Sequence, residues 1–461
     1  MPGINKFFRY KKHYGIKATV GLIHEKLVVD KKRFSPKKAR RLPSFPKGYN
    51  ALPLPSASCG RALNILYAVH YFYPAKQGGT ERFTLNLAKE QIRLGNTPTV
   101  LLLDANEPIS AYSESFGDIL YRRYEYDGVE CIGIRHRRAP LGLYYKDVRL
   151  DDVAMREFAR HILTTLNTDV VHATYPQPFA SFLDECVQMN VPYVITCTDF
   201  NMMCHFSSLV DKNGDFCTSS ENGKRCERIC KSYGCNDFPK RKENAHKILL
   251  GARAVTVPSE FVARILSSEF DGVGFSVVPH GISDIFKPCE RKGTPRKFVY
   301  AGTLSALKGV HLLLEAFSEV EGDITLDIYG SGDPSYIKSL KKKSDSRVRF
   351  HGAANGDDMP KIYANADCVI VPSMWYETYN FVLREALKTG ALAIAADIGA
   401  MPEAIDEGKN GFLFTPSDKD SLAEKIRLAA SFELSNYTPC TFPSISDEGK
   451  IYQNIYNAIL H

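Results

Sequence analysis

The chain has 461 residues, 44% of them hydrophobic and 24% charged, and a formal net charge of +7. This length exceeds one ordinary hydrophobic core and predicts two domains of roughly 200 residues each. The composition is that of a soluble globular protein, without the roughly 18-residue apolar run of a membrane span or an apolar leader, so a cytoplasmic location is expected.

The charge is concentrated at the start. Residues 1–50 carry fourteen Lys or Arg against Glu25 and Asp30, a net of +12, which leaves the rest near −5. Ile16, Val20, Ile23 and Leu27 recur at helical spacing, with Lys12, Lys17 and Lys26 on other faces. Such a basic amphipathic helix suits the anionic inner face of a membrane, as a peripheral anchor, or packing on the protein's own body. Nucleic acid is disfavoured, because no base-stacking or groove-entering motif accompanies the charge. Residues 31–60, with basic pairs and five prolines, read as exposed linker, so 1–60 form an arm and linker.

Residues 61–272 read as a first domain. Leu63–Val69 is an apolar strand, followed by a loop containing Gly78 and Gly79 and a helix from Arg82 to Leu94 closed by Gly95. In such a unit backbone N–H groups approach a phosphate or sugar closely, although the same turn also serves plain connections. Thr99–Leu103, Asp169–Ala173 and Pro192–Thr196 are further strands. Their alternation with helices predicts a doubly wound parallel sheet with its ligand loops at the strand C-termini. Asp199 follows the last of these strands. An Asp at that place is often a simple cap.

Five of the twelve cysteines crowd into a polar insertion at 204–235: Cys204, Cys217, Cys226, Cys230 and Cys235. Without a secretion signal, disulfides are disfavoured and clustered thiols point to metal. Cys204, Cys217, Cys226 and Cys230 would suit a closed structural zinc site pinning a stretch with little core. The spacing is not that of a zinc ribbon, so metal, thiols and disulfides all stand as readings.

Residues 273–440 read as a second domain, with strands at Phe298–Ala301, Ile324–Tyr329, Val348–Phe350, Cys368–Val371 and Ala391–Ala395. The strand Cys368–Val371 leads through a loop to a helix from Phe381 to Thr389, ended by Gly390. Glu377 and Glu385 flank that turn. Eight residues span about 12 Å if helical. Glycoside hydrolases hold their carboxyl pair about 5–9.5 Å apart, so the spacing argues against hydrolysis. Separated carboxylates beside a helix N-terminus suit a ligand with hydroxyls at its ends and an anionic middle, which describes a nucleotide sugar.

Four blocks stand in a familiar order: Tyr73-Pro74 with Gly78-Gly79-Thr80-Glu81; Val278-Pro279-His280-Gly281; Tyr300-Ala301-Gly302-Thr303 through Lys308-Gly309; and Pro372-Ser373, Glu377, Glu385-Ala386, Gly390, Gly399, Pro402-Glu403, Gly408 and Asn410-Gly411. From about residue 62 onward the chain resembles the retaining glycosyltransferases of family 4. That resemblance implies an α/β protein of GT-B fold, two facing Rossmann-like doubly wound domains with a cleft between them. Residues 441–461, striped with Ile451, Tyr452, Ile455, Tyr456 and Ile459, would be the helix that crosses back to the first domain.

The resemblance also implies roles. Lys308 would stabilise the departing diphosphate, Glu377 would hold donor-sugar hydroxyls, and Glu385 the ribose. Gly78, Gly79, Thr303, His280 and Gly281 would line the substrates, and Asp199 would serve the acceptor hydroxyl. Catalysis would need no metal or other cofactor. The partners implied are a nucleotide-sugar donor and a saccharide or lipid-linked saccharide acceptor, as in surface polysaccharide assembly. Two positions depart from the family pattern: Thr303 replaces an arginine and Thr198 a histidine. They keep a catalytically silent GT-B-like binding protein, and a phosphorylase or hydrolase on the same scaffold, as rival readings.

Overall fold

The computed structural model describes residues 46–56, 60–104, 107–137, 147–231 and 237–460. The basic amphipathic segment, Cys59 and Cys235 lie outside them. Among the described residues, 46–279 and 446–460 form one compact unit and 280–445 another.

The first unit is built on a nine-stranded sheet. Its strands are β1 (Asn64–Val69), β2 (Thr97–Leu103), β3 (Glu114–Phe116), β4 (Ile119–Tyr126), β5 (Val129–His136), β6 (Val170–Ala173), β7 (Tyr193–Thr196), β8 (Ala254–Val257) and β9 (Ser276–Val277). They lie in the order β3-β4-β5-β2-β1-β6-β7-β8-β9. All pairings are parallel except β3 with β4 and β4 with β5. Ile65 to Val69 are each at most 1% exposed, which is why β1 reads as a continuous apolar run rather than an alternating one. The β4–β5 hairpin escaped the sequence reading, although Asp127 and Gly128, both at positive φ, form the Asp-Gly turn that favours such hairpins.

Three boundaries differ from expectation. The helix after β1 spans Gly79–Arg93, so it begins three residues before Arg82 and Gly78 is its N-cap. The strand β9 joins the first sheet, so this unit runs to Pro279 rather than ending at residue 272. Part of the proposed linker is also ordered: Ala51 bridges Phe275, and Leu52 N donates to Phe275 O at 3.0 Å.

The C-terminal helix Ile445–Leu460 belongs with the first unit from Ser446 onward. Its buried Tyr452 reaches Thr196 Oγ1 at 2.9 Å and Thr256 Oγ1 at 3.0 Å. Tyr456 Oη lies 2.7 Å from His172 Nδ1 and 3.1 Å from Tyr67 Oη. Polar tips on an apolar stripe thus lock the helix at one register over β1, β6, β7 and β8. Among the described residues, no helix is long and apolar enough to cross a membrane.

The second unit carries a six-stranded, wholly parallel sheet. Its strands are β10 (Lys297–Ala301), β11 (Thr325–Tyr329), β12 (Val348–Gly352), β13 (Cys368–Val371), β14 (Leu392–Ala396) and β15 (Gly411–Phe414). They lie in the order β12-β11-β10-β13-β14-β15. Strand order reverses between β10 and β13. The loops leaving their C-terminal ends, 302–309 and 372–380, therefore meet at the switch point where doubly wound sheets hold ligands.

Candidate functional site

The two loops of the second unit are stitched by backbone. Met374 N donates to Leu307 O at 2.7 Å. Gly309 takes φ +70°, and a Cβ there would stand 1.8 Å from Pro372 O, so only glycine allows the loops to touch. A similar contact joins the β10 and β11 ends, where a Cβ on Gly330 would lie 1.9 Å from Gly302 O.

This scaffold brings Lys308 and Glu377 together. Lys308 Nζ lies 2.7 Å from Glu377 Oε1, which also accepts from Ser373 Oγ at 2.6 Å and Trp375 Nε1 at 2.8 Å. The ammonium sits 5.0 Å from the centre of the Trp375 ring. Burial would raise the Glu377 pKa. The Lys308 charge and the hydrogen bonds from Lys308, Ser373 and Trp375 outweigh it and hold the carboxyl below the usual range. A buried carboxylate is thereby kept ionised beside a part-exposed cation. Ser373 and Trp375, within four residues of Glu377, were not given this role by the sequence reading. Gly399, at φ +68°, is explained by Glu377 as well: a Cβ there would lie 2.5 Å from Glu377 O.

Glu385 is 4% exposed, on the helix Phe381–Lys388. Asn380 opens that helix from a left-handed conformation (φ 65°), and its side chain accepts from Leu383 N. Thr303 is exposed, with its carbonyl held by Tyr300 Oη at 2.8 Å. Arg384 does not take over the missing arginine's charge. It is 4% exposed, bonded to the carbonyls of Tyr379 and Ala400, and its guanidinium lies 3.9 Å from the Tyr379 ring centre. His280 is 3% exposed and stacks on Phe381 with centroids 5.4 Å apart. Gly281 has a packing reason, since a Cβ would meet Ile445 Cα at 2.6 Å.

In the first unit, the C-terminal ends of β1, β6 and β7 gather a second polar group. Gly78 is extended, a Cβ there would lie 2.4 Å from Glu81 Oε2, and Gly79 is the exposed first residue of the helix. Glu81 is 2% exposed and its Oε1 has no hydrogen-bond partner. Gln177, 1% exposed after β6, has neither amide atom paired. Asp199 Oδ1 accepts from Asn201 N at 2.7 Å. Burial pushes its carboxyl up to about 6, against hydrogen bonds from Asn201 and Ser207 and with a further push from the Glu81 charge. Thr198 bonds Thr80 Oγ1 at 2.8 Å and Thr174 O at 3.1 Å, so it ties the helix start to the β6 loop. His172 lies within β6 at 0% exposure, held by Tyr456 and by Thr196 at 2.7 Å, and is a core residue.

Cys204, Cys217, Cys226 and Cys230 all line one small cavity, with none in a disulfide. Burial pushes the Cys217 thiol up to about 12. Among the described residues, no three His, Cys, Asp or Glu side chains are already arranged to hold an ion.

Residues 77–284 match Glycosyltransferase Family 4, and residues 295–431 match Glycosyl transferases group 1. Solved structures share the fold. A glycosyltransferase from Rickettsia africae aligns with TM-score 0.58 at 19% identity, over 87% of this chain and 99% of that one. The Anabaena HepE protein in complex with UDP and glucose gives TM-score 0.57 at 18% identity, over 86% and 99%. The architecture is therefore GT-B, and the chain belongs to glycosyltransferase family 4. Among curated relatives, an uncharacterized glycosyltransferase of Methanocaldococcus jannaschii is 32% identical over 133 residues, 28% of this chain and 34% of its own length. The lipopolysaccharide 1,2-N-acetylglucosaminetransferase of Salmonella typhimurium is 28% identical over 199 residues, 38% of this chain and 52% of its own length. The matches span about a third to a half of these relatives.

Proposed function

We propose that the protein is a glycosyltransferase that moves a sugar from a nucleotide-sugar donor to an acceptor hydroxyl with retained configuration. The observation that carries this reading is the Lys308–Glu377 pair at the β10/β13 switch point. Transfer is helped by a cation for the departing diphosphate and by a carboxylate that holds the sugar as it passes to the acceptor. Lys308 supplies the first, and Glu377, kept ionised by its three donors, accepts from sugar hydroxyls. Glu385 holds the ribose. The HepE structure with UDP and glucose supports a donor of this class.

The acceptor belongs to the first unit in this reading. Asp199, with its carboxyl near 6, receives the proton of the acceptor hydroxyl as the new bond forms. The Glu81 and Gln177 atoms without hydrogen-bond partners suit further hydroxyls of a saccharide. The basic segment at the chain's start favours an acceptor linked to lipid, with the protein peripheral on the inner face of a membrane. The Salmonella relative, a lipopolysaccharide N-acetylglucosaminetransferase by name, supports that choice.

The first test is thermal shift against UDP, GDP, ADP, CMP and dTDP, beside Glu385→Ala. A nucleotide that stabilises the parent and not the variant supports the donor site and names its class. Stabilisation by none of them would favour the silent binding protein, with Thr303 as the reason.

A further inference from the structure

We propose that Cys204, Cys217, Cys226 and Cys230 form a closed four-thiolate site for one structural zinc ion, which pins the insertion between β7 and the helix Phe238–Gly251. Two observations and the chemistry of zinc converge. The four cysteines are spread over 27 residues of sequence, yet all four line the same cavity. That cavity, which Met203, Phe206, Leu209, Val210 and Ser220 also line, leaves about 10 Å³ of free space, the scale of a single water or ion rather than an organic ligand. Four sulfurs drawn onto one ion would complete a tetrahedral shell with no open position, which marks a structural rather than a catalytic ion.

Asp211, on the same wall, is already committed elsewhere. Asp211 is engaged by Arg225 at 3.3 Å and by the N–H groups of Asn213 and Asp215 at 2.9 and 3.0 Å. His205 packs edge-on to Phe206 and Phe238. Sulfur-rich sets select zinc over magnesium or calcium, which take oxygen.

The insertion also needs such a staple. Between β7 and the helix Phe238–Gly251 the described regular structure is one π turn, Cys226–Cys230, and one bridge, Val210 to Phe216. Its apolar cluster is Cys226, Cys230 and Phe238, with Phe206 and Ile229 packed against it. Ser207, Leu209 and Glu221 take positive φ, which local sequence preference alone does not hold. Zinc would replace the thiol protons, up to four per ion, and draw the sulfurs inward by rotamer changes.

The ion would also brace the acceptor-side loop. Cys204 N donates to Phe200 O at 2.6 Å, one residue from Asp199. Arg241 holds the carbonyls of Asn201 and Met202.

The test is metal analysis of the untagged full-length chain purified without chelator. The expected result is one zinc per chain, released by a mercurial thiol reagent. Cobalt exchanged into the parent should give thiolate-to-metal charge transfer and tetrahedral d–d bands. That measurement stands even where variants fail to fold. Cys226→Ser with Cys230→Ser should lose the metal, while Cys289→Ser keeps it. Removal of the ion should speed amide exchange across residues 199–230 and leave the second unit unchanged. A parent that binds neither metal overturns the site, as does metal retained in the double variant or an intact mass showing disulfides among these cysteines.

Discussion

Glu377 is the residue whose environment is most specialised, and its charge can be tested directly. Its folded pKa lies below the ordinary 4.5, so its contribution is present above that value and lost as pH falls through the folded pKa. Lys308→Ala removes the main opposing charge and leaves burial dominant. The variant should be less stable than the parent at pH 7 by roughly 1–3 kcal/mol. The gap in urea midpoints should close in acid, as both carboxyls protonate. A gap constant with pH would show that the ion pair is not its source. Glu377→Gln keeps an acceptor for Ser373 and Trp375 and should fold well, yet transfer sugar poorly. Thr303 offers the converse experiment. It is exposed at the mouth of the β10 loop, so an arginine is accommodated there. A charge-assisted hydrogen bond contributes about 1.5–3 kcal/mol. Thr303→Arg should therefore tighten nucleoside diphosphate binding roughly tenfold by calorimetry.

At the scale of elements, the site depends on two loops touching. Gly309→Ala places a Cβ against the backbone carbonyl of Pro372 as well as at unfavourable φ. It should cost roughly 2–4 kcal/mol and abolish nucleotide stabilisation. Gly408 has a similar φ of +75° but open space around its Cβ position, so Gly408→Ala should cost only about 1 kcal/mol. Equal losses in the two variants would show that the loop contact is unimportant. These glycines were legible in the sequence as a pattern; the contact that requires each was not. The helix after β1 makes the same point. Its start at Gly79 places Glu81 in the first turn, buried, where the sequence suggested loop.

At the scale of the molecule, the first unit encloses a neutral histidine. Burial lowers the His172 pKa from 6.5 to about 3. In that window the folded state binds fewer protons than the unfolded one, so stability is lost as pH falls from 6.5 toward 3. The loss amounts to several kcal/mol by pH 4. His172→Asn should flatten the dependence of urea midpoint on pH between 7 and 4. Tyr456→Phe leaves His172 Nδ1 and Tyr67 Oη without this partner and should cost roughly 1–3 kcal/mol.

The sequence by itself determined the doubly wound class and the family, because strands buried on both faces are written as unbroken apolar runs and the site motifs sit in order along the chain. It also singled out Lys308 and Glu377, which the fold brings within 2.7 Å of each other. Only the tertiary structure decided that Ser373 and Trp375 share one oxygen of Glu377, that Arg384 is committed to backbone, that the last helix docks through Tyr452 and Tyr456, and that four distant cysteines line one cavity. The physical reason is range. Propensity and periodicity act over a few residues, whereas hydrogen-bond partners and cavity walls are set by which strands become neighbours.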